Sequence, residues 1–236
     1  MDTARAGRAG EPGVTALAEF RSSLGRDEIA RYLAHFGTGT GVDSATVRLR
    51  SVTGGHLDLH DDGHRVALIS WLRSWGCRHL RRADTDRTSE ALRGWWAEWG
   101  SRLPRDQDTL TGLGEDALVV AGLAYDDLRA RPAARRSVKG TDLDVAFGDT
   151  AAAKALYAIR PRAFLPWDEP IRLAFGRPGG GAAYVRLLRL SAAALDGLAG
   201  RLEVPVGDLP EILGRPGSEP AKLVDEYLWV RITRGR

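Results

Sequence analysis

Gly148-Asp-Thr-Ala-Ala-Ala-Lys154-Ala-Leu-Tyr157-Ala-Ile-Arg160-Pro161-Arg162-Ala-Phe164-Leu-Pro166-Trp167-Asp168-Glu-Pro-Ile171-Arg172 is the stretch on which the fold of this 236-residue chain turns. Its first half is a run of small residues that predicts a helix over 150–159, able to approach its neighbours closely. Arg160-Pro161 ends that helix, since proline cannot continue it. A stiff loop of aromatic residues and prolines then delivers one carboxylate, Asp168, to the start of a helix expected over 169–175. A carboxylate in that place is attracted by the positive end of the helix dipole, and it also serves as a plain N-cap.

Working outward, apolar residues recur at spacings of three and four through most of the chain, which predicts a mainly α protein. Helices are expected over 14–36 with a break at Gly25 and an end at Gly37-Thr-Gly-Thr-Gly41, then over 64–75, 89–99 and 115–129, and after the quoted stretch over 182–198, 208–213 and 220–230. Thr46-Val-Arg-Leu-Arg-Ser-Val52 alternates polar with apolar, Gly54-Gly55 turns, and His56-Leu-Asp-Leu-His60 alternates again, so a small β-hairpin is expected near 46–60. Asp61, Asp62 and Gly63 supply a cap for the helix that follows. Arg131-Pro-Ala-Ala-Arg-Arg-Ser-Val-Lys-Gly140 mixes proline, glycine and charge and marks the expected boundary between two helical lobes, 13–135 with the hairpin and 136–236 with the Asp168 motif, Asp168 lying near the cleft between them. Residues 1–12, with Arg5 and Arg8, are expected to form a disordered arm.

Composition narrows the class. With 43% hydrophobic and 28% charged residues the chain has the balance of a globular domain. Its longest apolar run, 117–125, is less than half of the roughly 20 residues that a membrane-spanning helix needs. The single cysteine, Cys77, allows neither an internal disulfide nor a cysteine-based zinc site, so the cytoplasm is the expected compartment. Net charge is only +3, yet of the 34 cationic residues three are lysines, Lys139, Lys154 and Lys222, and the rest are arginines. Arginine suits phosphate and base stacking through its planar fork of donors, while a GC-rich genome enriches it for unrelated reasons.

Four further constellations stand out. Trp71 and Trp75 share one helical face and Trp95 and Trp99 another, which predicts two buried stripes packed together, with Trp96 the most exposed. If 56–60 is a strand, His56, Asp58 and His60 point the same way and offer nitrogen and carboxylate ligands to a metal, although Asp61 or Asp62 as a cap beside a solvated hairpin face explains the segment equally well. Gly179-Gly180-Gly181, preceded by Arg177, could receive a phosphate at the start of a helix or act as a plain joint. The tail helix, with Leu223, Tyr227 and Val230 as its buried face, is expected only to pack.

The run small-Lys-x-Leu, Arg-Pro, Phe-x-Pro-x-Asp-x-x-Ile-Arg resembles the helix-hairpin-helix DNA glycosylase superfamily, whose hairpin is followed by Arg-Pro-x-x-Phe-Pro-x-Asp-x-x-Val-Arg. It is more similar still to poorly characterised bacterial members of that fold, and the Trp71-to-Cys77 helix taken with the tail resembles an actinobacterial family. The likeness spans 148–172. It implies a mainly α, two-lobed glycosylase-like core that binds DNA, needs no cofactor and hydrolyses an N-glycosidic bond. Asp168 would stabilise the oxocarbenium-like sugar and help to activate water. Trp167 and Tyr157 would stack on the extruded base, and Lys154, Arg160, Arg162, Arg172 and Arg177 would meet the nucleic acid. The superfamily's glycine-rich hairpin would fall at Phe147-Gly148-Asp149-Thr150, where one glycine stands and Asp149 would repel phosphate. Lys154 lies a turn past the place where bifunctional members carry a nucleophilic lysine, so Schiff-base lyase chemistry is not expected. Two other classes remain open: a non-catalytic helical scaffold or protein-interaction module, and a metal-dependent small-molecule enzyme built on His56, Asp58 and His60.

Overall fold

The computed structural model describes residues 11–40, 44–177 and 179–234. Among these the chain is mainly helical with one two-stranded antiparallel sheet. The order is α1 (Pro12–Ser22), α2 (Arg26–Thr40), α3 (Ser44–Thr53), α4 (Asp62–Ser74), α5 (Thr85–Trp99), α6 (Glu115–Ala130), β1 (Pro132–Val138), β2 (Thr141–Ala146), α7 (Gly148–Ile159), α8 (Glu169–Ala174), α9 (Gly181–Leu202), α10 (Leu209–Ile212) and α11 (Pro220–Thr233). The expected arm lies outside the described residues except at its end, where Pro12 already opens α1.

Helix α7 is the axis of the molecule. Ala151, Ala152, Ala153 and Ala155 are all buried, as are Leu156 and Ile159, so it has no polar face. Its run of alanines lets neighbouring helices approach closely. It packs against α4 and α6, and α6 in turn crosses α9. At that second crossing Gly122 meets Gly181 so closely that a Cβ on Gly181 would run into the Gly122 carbonyl oxygen.

The sheet lies where the sequence reading placed a linker. Residues 46–60 hold no hairpin: Ala45, Leu49 and Thr53 are buried at a four-residue spacing, the signature of α3, while Val47 and Val52, which made the stretch look alternating, are exposed. Gly54, at φ 61°, closes that helix in a left-handed cap, with the Gly55 amide donating to the Arg50 carbonyl. The true hairpin pairs Val138 with Thr141 across a two-residue turn, Lys139 at φ 50° and Gly140 at φ 80°, the positive-φ pair that matches the twist of the strands. Its base is tied down by Thr88, which donates to the Ala133 carbonyl, and by Asp84, which accepts from the Arg135 amide.

Helices α1 and α2 lie against α9 and α11, and the buried side chains form one connected core from Ala16 to Leu228. The tryptophan stripes do not meet as two facing rows. Trp71 and Trp75 stack on each other at 4.2 Å and turn to Tyr157 on α7, whereas Trp95 and Trp99 donate to the Ala124 carbonyl and the Asp127 carboxylate of α6. Trp96 is buried and donates to Asp58; Trp75 is the partly exposed member.

No helix among the described residues is long and apolar enough to cross a membrane. Because the α6 and α9 backbones meet at the glycine pair, Gly181→Ala should cost about 2 to 4 kcal/mol of unfolding free energy, measured by urea denaturation, whereas Gly200→Ala, in the same helix but facing open space, should stabilise by about 0.5 to 1 kcal/mol.

Candidate functional site

A cavity of about 670 Å³ is enclosed by α2, α3, the end of α4, α7, the start of α8, the 215–219 loop and α11. Each wall comes from a local feature of sequence. Trp75 is the C-cap residue of α4, Asp168 the N-cap residue of α8, and Lys154 and Tyr157 lie three apart on α7. Lys222, Asp225, Glu226 and Trp229 lie at i, i+3, i+4 and i+7 of α11, which makes them one stripe facing inward.

Charge in the cavity is organised in pairs. Lys154, only 4% exposed, binds Asp168 Oδ1 at 2.5 Å and donates to the Trp75 carbonyl at 2.5 Å. Asp168 therefore makes no side-chain cap to its own helix; its second oxygen has no hydrogen-bond partner among the described residues, and the residue lines the cavity. Lys222 pairs with Asp225, and Arg215 with Glu226 at 2.6 Å. The Lys222 ammonium also faces the rings of Phe36, Trp75 and Tyr157 at 4.8, 5.0 and 6.0 Å, three cation–π contacts shielded from bulk water.

Burial shapes the titration of these groups. It pushes the Asp225 and Glu226 carboxyls above the ordinary range, with Lys222 and Arg215 pulling the other way. For Lys222 burial acts downward, but Asp225, Tyr157 and Glu226 outweigh it and raise the ammonium above its usual value. Burial lifts the Tyr157 hydroxyl to about 12 and the Cys77 thiol, which feels both Lys154 and Asp168, to about 11, so both keep their protons at neutral pH.

Three of the residues singled out from sequence, Lys154, Tyr157 and Asp168, come together in this cavity. The others do not. Trp167 is wholly buried against Tyr184, with ring centroids 6.0 Å apart, because the Phe164-to-Trp167 loop folds into the core; it cannot stack on a ligand there. Arg160 is buried and spent on the Pro104 and Ile159 carbonyls and on Asp106. Arg172 turns to Asp149 at 2.8 Å, and Arg177 is exposed beside Glu169. Arg162 stands near Glu219 of the cavity wall, 3.6 Å away. The start of α9 is occupied from within the protein: Asp149 accepts from the Gly180 amide, the Tyr125 hydroxyl and Arg172, so of the two readings of the triglycine, phosphate receptor or plain joint, the first is met by a carboxylate of the chain itself.

The histidine segment is a loop and not a strand. His56 pairs with Asp106, Asp58 accepts from Trp96 and from the His60 amide, and Asp61 caps α4 through the His64 amide. His56, Asp58 and His60 thus share no common face, and no group of three metal-capable side chains occurs among the described residues. Lys222, Asp225, Glu226 and Arg215 were missed from sequence because the tail was read only for its apolar face. A signal was present: two of the three lysines in an arginine-rich chain line this one cavity.

The raised Glu226 carboxyl has a defined consequence for stability. In the window between the ordinary carboxyl value and its raised value the folded chain binds a proton that the unfolded chain releases, so unfolding free energy gains as pH falls through that window. Urea denaturation of wild type and Glu226→Gln between about pH 7 and about pH 4.5 should show the difference moving in favour of wild type toward the acid end. No protein-family model, curated protein or solved structure matches the chain.

Proposed function

We propose that the protein binds DNA, takes one nucleotide into the cavity and hydrolyses its N-glycosidic bond, acting in the cytoplasm as a monofunctional glycosylase-like enzyme. The observation that carries this reading is Asp168 at the cavity wall, held at the start of α8 by Lys154 through Oδ1, with no hydrogen-bond partner for its second oxygen among the described residues, in a space of about 670 Å³ that Trp75, Tyr157 and Trp229 help to line. That volume lies within the range of ligand sites, and its aromatic walls suit a planar base.

In this reading Asp168 supplies negative charge to the sugar as the base departs and orients the water that attacks C1′. Lys154 is a positioning residue: at the cavity wall it binds Asp168 Oδ1 and the Trp75 carbonyl, and so fixes the rotamer of Asp168. Tyr157 and Trp75 take the stacking role that the resemblance gave to Trp167, since both border the cavity and Trp167 does not. Neither lysine is required as a nucleophile; each is engaged with a carboxylate, Lys154 with Asp168 and Lys222 with Asp225, consistent with direct hydrolysis by water.

The test is binding to duplex DNA carrying an abasic-site analogue across a salt series, together with base release from a panel of lesion duplexes, for wild type and Asp168→Asn. Wild type should bind with a steep loss of affinity as salt rises, because neutralised phosphates release counterions. Asp168→Asn should retain binding within a few fold and lose base release by about a hundredfold or more. Absence of binding at low salt overturns the reading. Binding without release from any duplex removes hydrolysis and leaves a DNA-binding protein.

A further inference from the structure

The inner and outer parts of the cavity differ in charge. Each of the four lining carboxylates faces a cation of the same chain, Asp168 with Lys154, Asp225 with Lys222, Glu226 with Arg215 and Glu219 with Arg162, so the interior is close to neutral. At the mouth two arginines of α3, Arg48 and Arg50, border the cavity, are exposed, and have no ion-pair partner among the described residues. Helix α3 is held in place there, with Trp71 donating to Thr46 and with Ala45 and Leu49 in the core, so the two guanidinium groups project from a fixed support. Arg50 is near enough to act electrostatically on the Tyr157 hydroxyl inside.

We infer that Arg48 and Arg50 form a phosphate site at the mouth, and that the ligand is a nucleotide whose uncharged ring enters the cavity while its phosphate stays outside on α3. An interior whose charges are paired favours a flat neutral ring, and two exposed guanidinium forks with no ion-pair partner among the described residues favour a phosphate, whose oxygens they can engage bidentately. This deepens the proposed function and rests on the reading of the cavity as a base site. The same chemistry is offered by a free mononucleotide and by a nucleotide extruded from a strand.

Tryptophan fluorescence titrations of the full chain separate the possibilities. The ligands are the 5′-mononucleotides, the matching nucleosides and a short single-stranded oligonucleotide of the same bases, with wild type and Arg48→Ala/Arg50→Ala. Both arginines are exposed, so the variant should melt as wild type does. The nucleotide, free or in the strand, should bind wild type about tenfold or more tightly than the nucleoside, and the variant should bind the phosphorylated ligand no better than the nucleoside. The two losses should not add, because both remove one contact.

Equal binding of nucleoside and phosphorylated ligands by wild type, a phosphate preference that survives in the variant, or no binding of any of these ligands overturns the inference. A preference carried by the mononucleotide but not by the oligonucleotide supports the phosphate site with a free nucleotide as its ligand and overturns the DNA reading. A preference carried by the oligonucleotide supports both. Loss of DNA base release with the nucleotide preference intact overturns the hydrolase alone.

Discussion

An ammonium group cannot be carried into a helix that is buried on every side unless partners meet it there, and Lys154 in α7 imposes that condition on the whole centre of the protein. Alanines surround it on its own helix, so no neighbour in sequence can satisfy it. Its partners come from two other places, the Trp75 carbonyl at the end of α4 and Asp168 at the start of α8. Meeting the needs of one amine thus sets where two helix ends stand, and those ends are two walls of the cavity. Removing either partner would leave a desolvated charge, so the site and the fold are stabilised by the same contacts.

The same logic recurs across the cavity. Asp225 on α11 is buried against Lys222, and Glu226 against Arg215 of the 215–219 loop, and both carboxylates tolerate burial only as members of these pairs. Such pairs add little net stability, since desolvation offsets much of their attraction, but they constrain geometry strongly because a mispaired alternative leaves a charge stranded. The half-buried Asp149 performs a comparable service at the start of α7, drawing α6, α8 and the start of α9 together through Tyr125, Arg172 and the Gly180 amide. What distinguishes the cavity from that second cluster is space: both Asp149 oxygens accept hydrogen bonds, whereas Asp168 lines an opening and is held through Oδ1 alone among the described residues.

Much of the helical framework was legible in the residues. The break at Gly25, the Asp61 cap, the alanine-rich α7 and the Pro161 stop each rest on a local preference that tertiary packing did not overturn. The errors have local causes as well. Exposed Val47 and Val52 imitated strand alternation in α3, and the Lys139-Gly140 turn lacked the asparagine or aspartate that marks a tight hairpin most clearly. At the site, Asp168 and Lys154 were found because they sit in one conspicuous stretch. Trp167 misled for the same reason, since adjacency to Asp168 along the chain says nothing of which way a ring turns, and this one turns into the core.

The sequence by itself determined a mainly α chain, the helix that carries Lys154 and the loop that carries Asp168, because helix periodicity, capping and proline stops are decided within a few residues. Only the tertiary structure decided that Trp75 and the stripe of α11 meet them around a cavity, that Arg48 and Arg50 of α3 border its mouth, and that Arg160, Arg172 and Trp167 face elsewhere. Residues so far apart in the chain are brought together by the requirement that every buried charge find its counter-charge, and that requirement can be met only once the helices are packed.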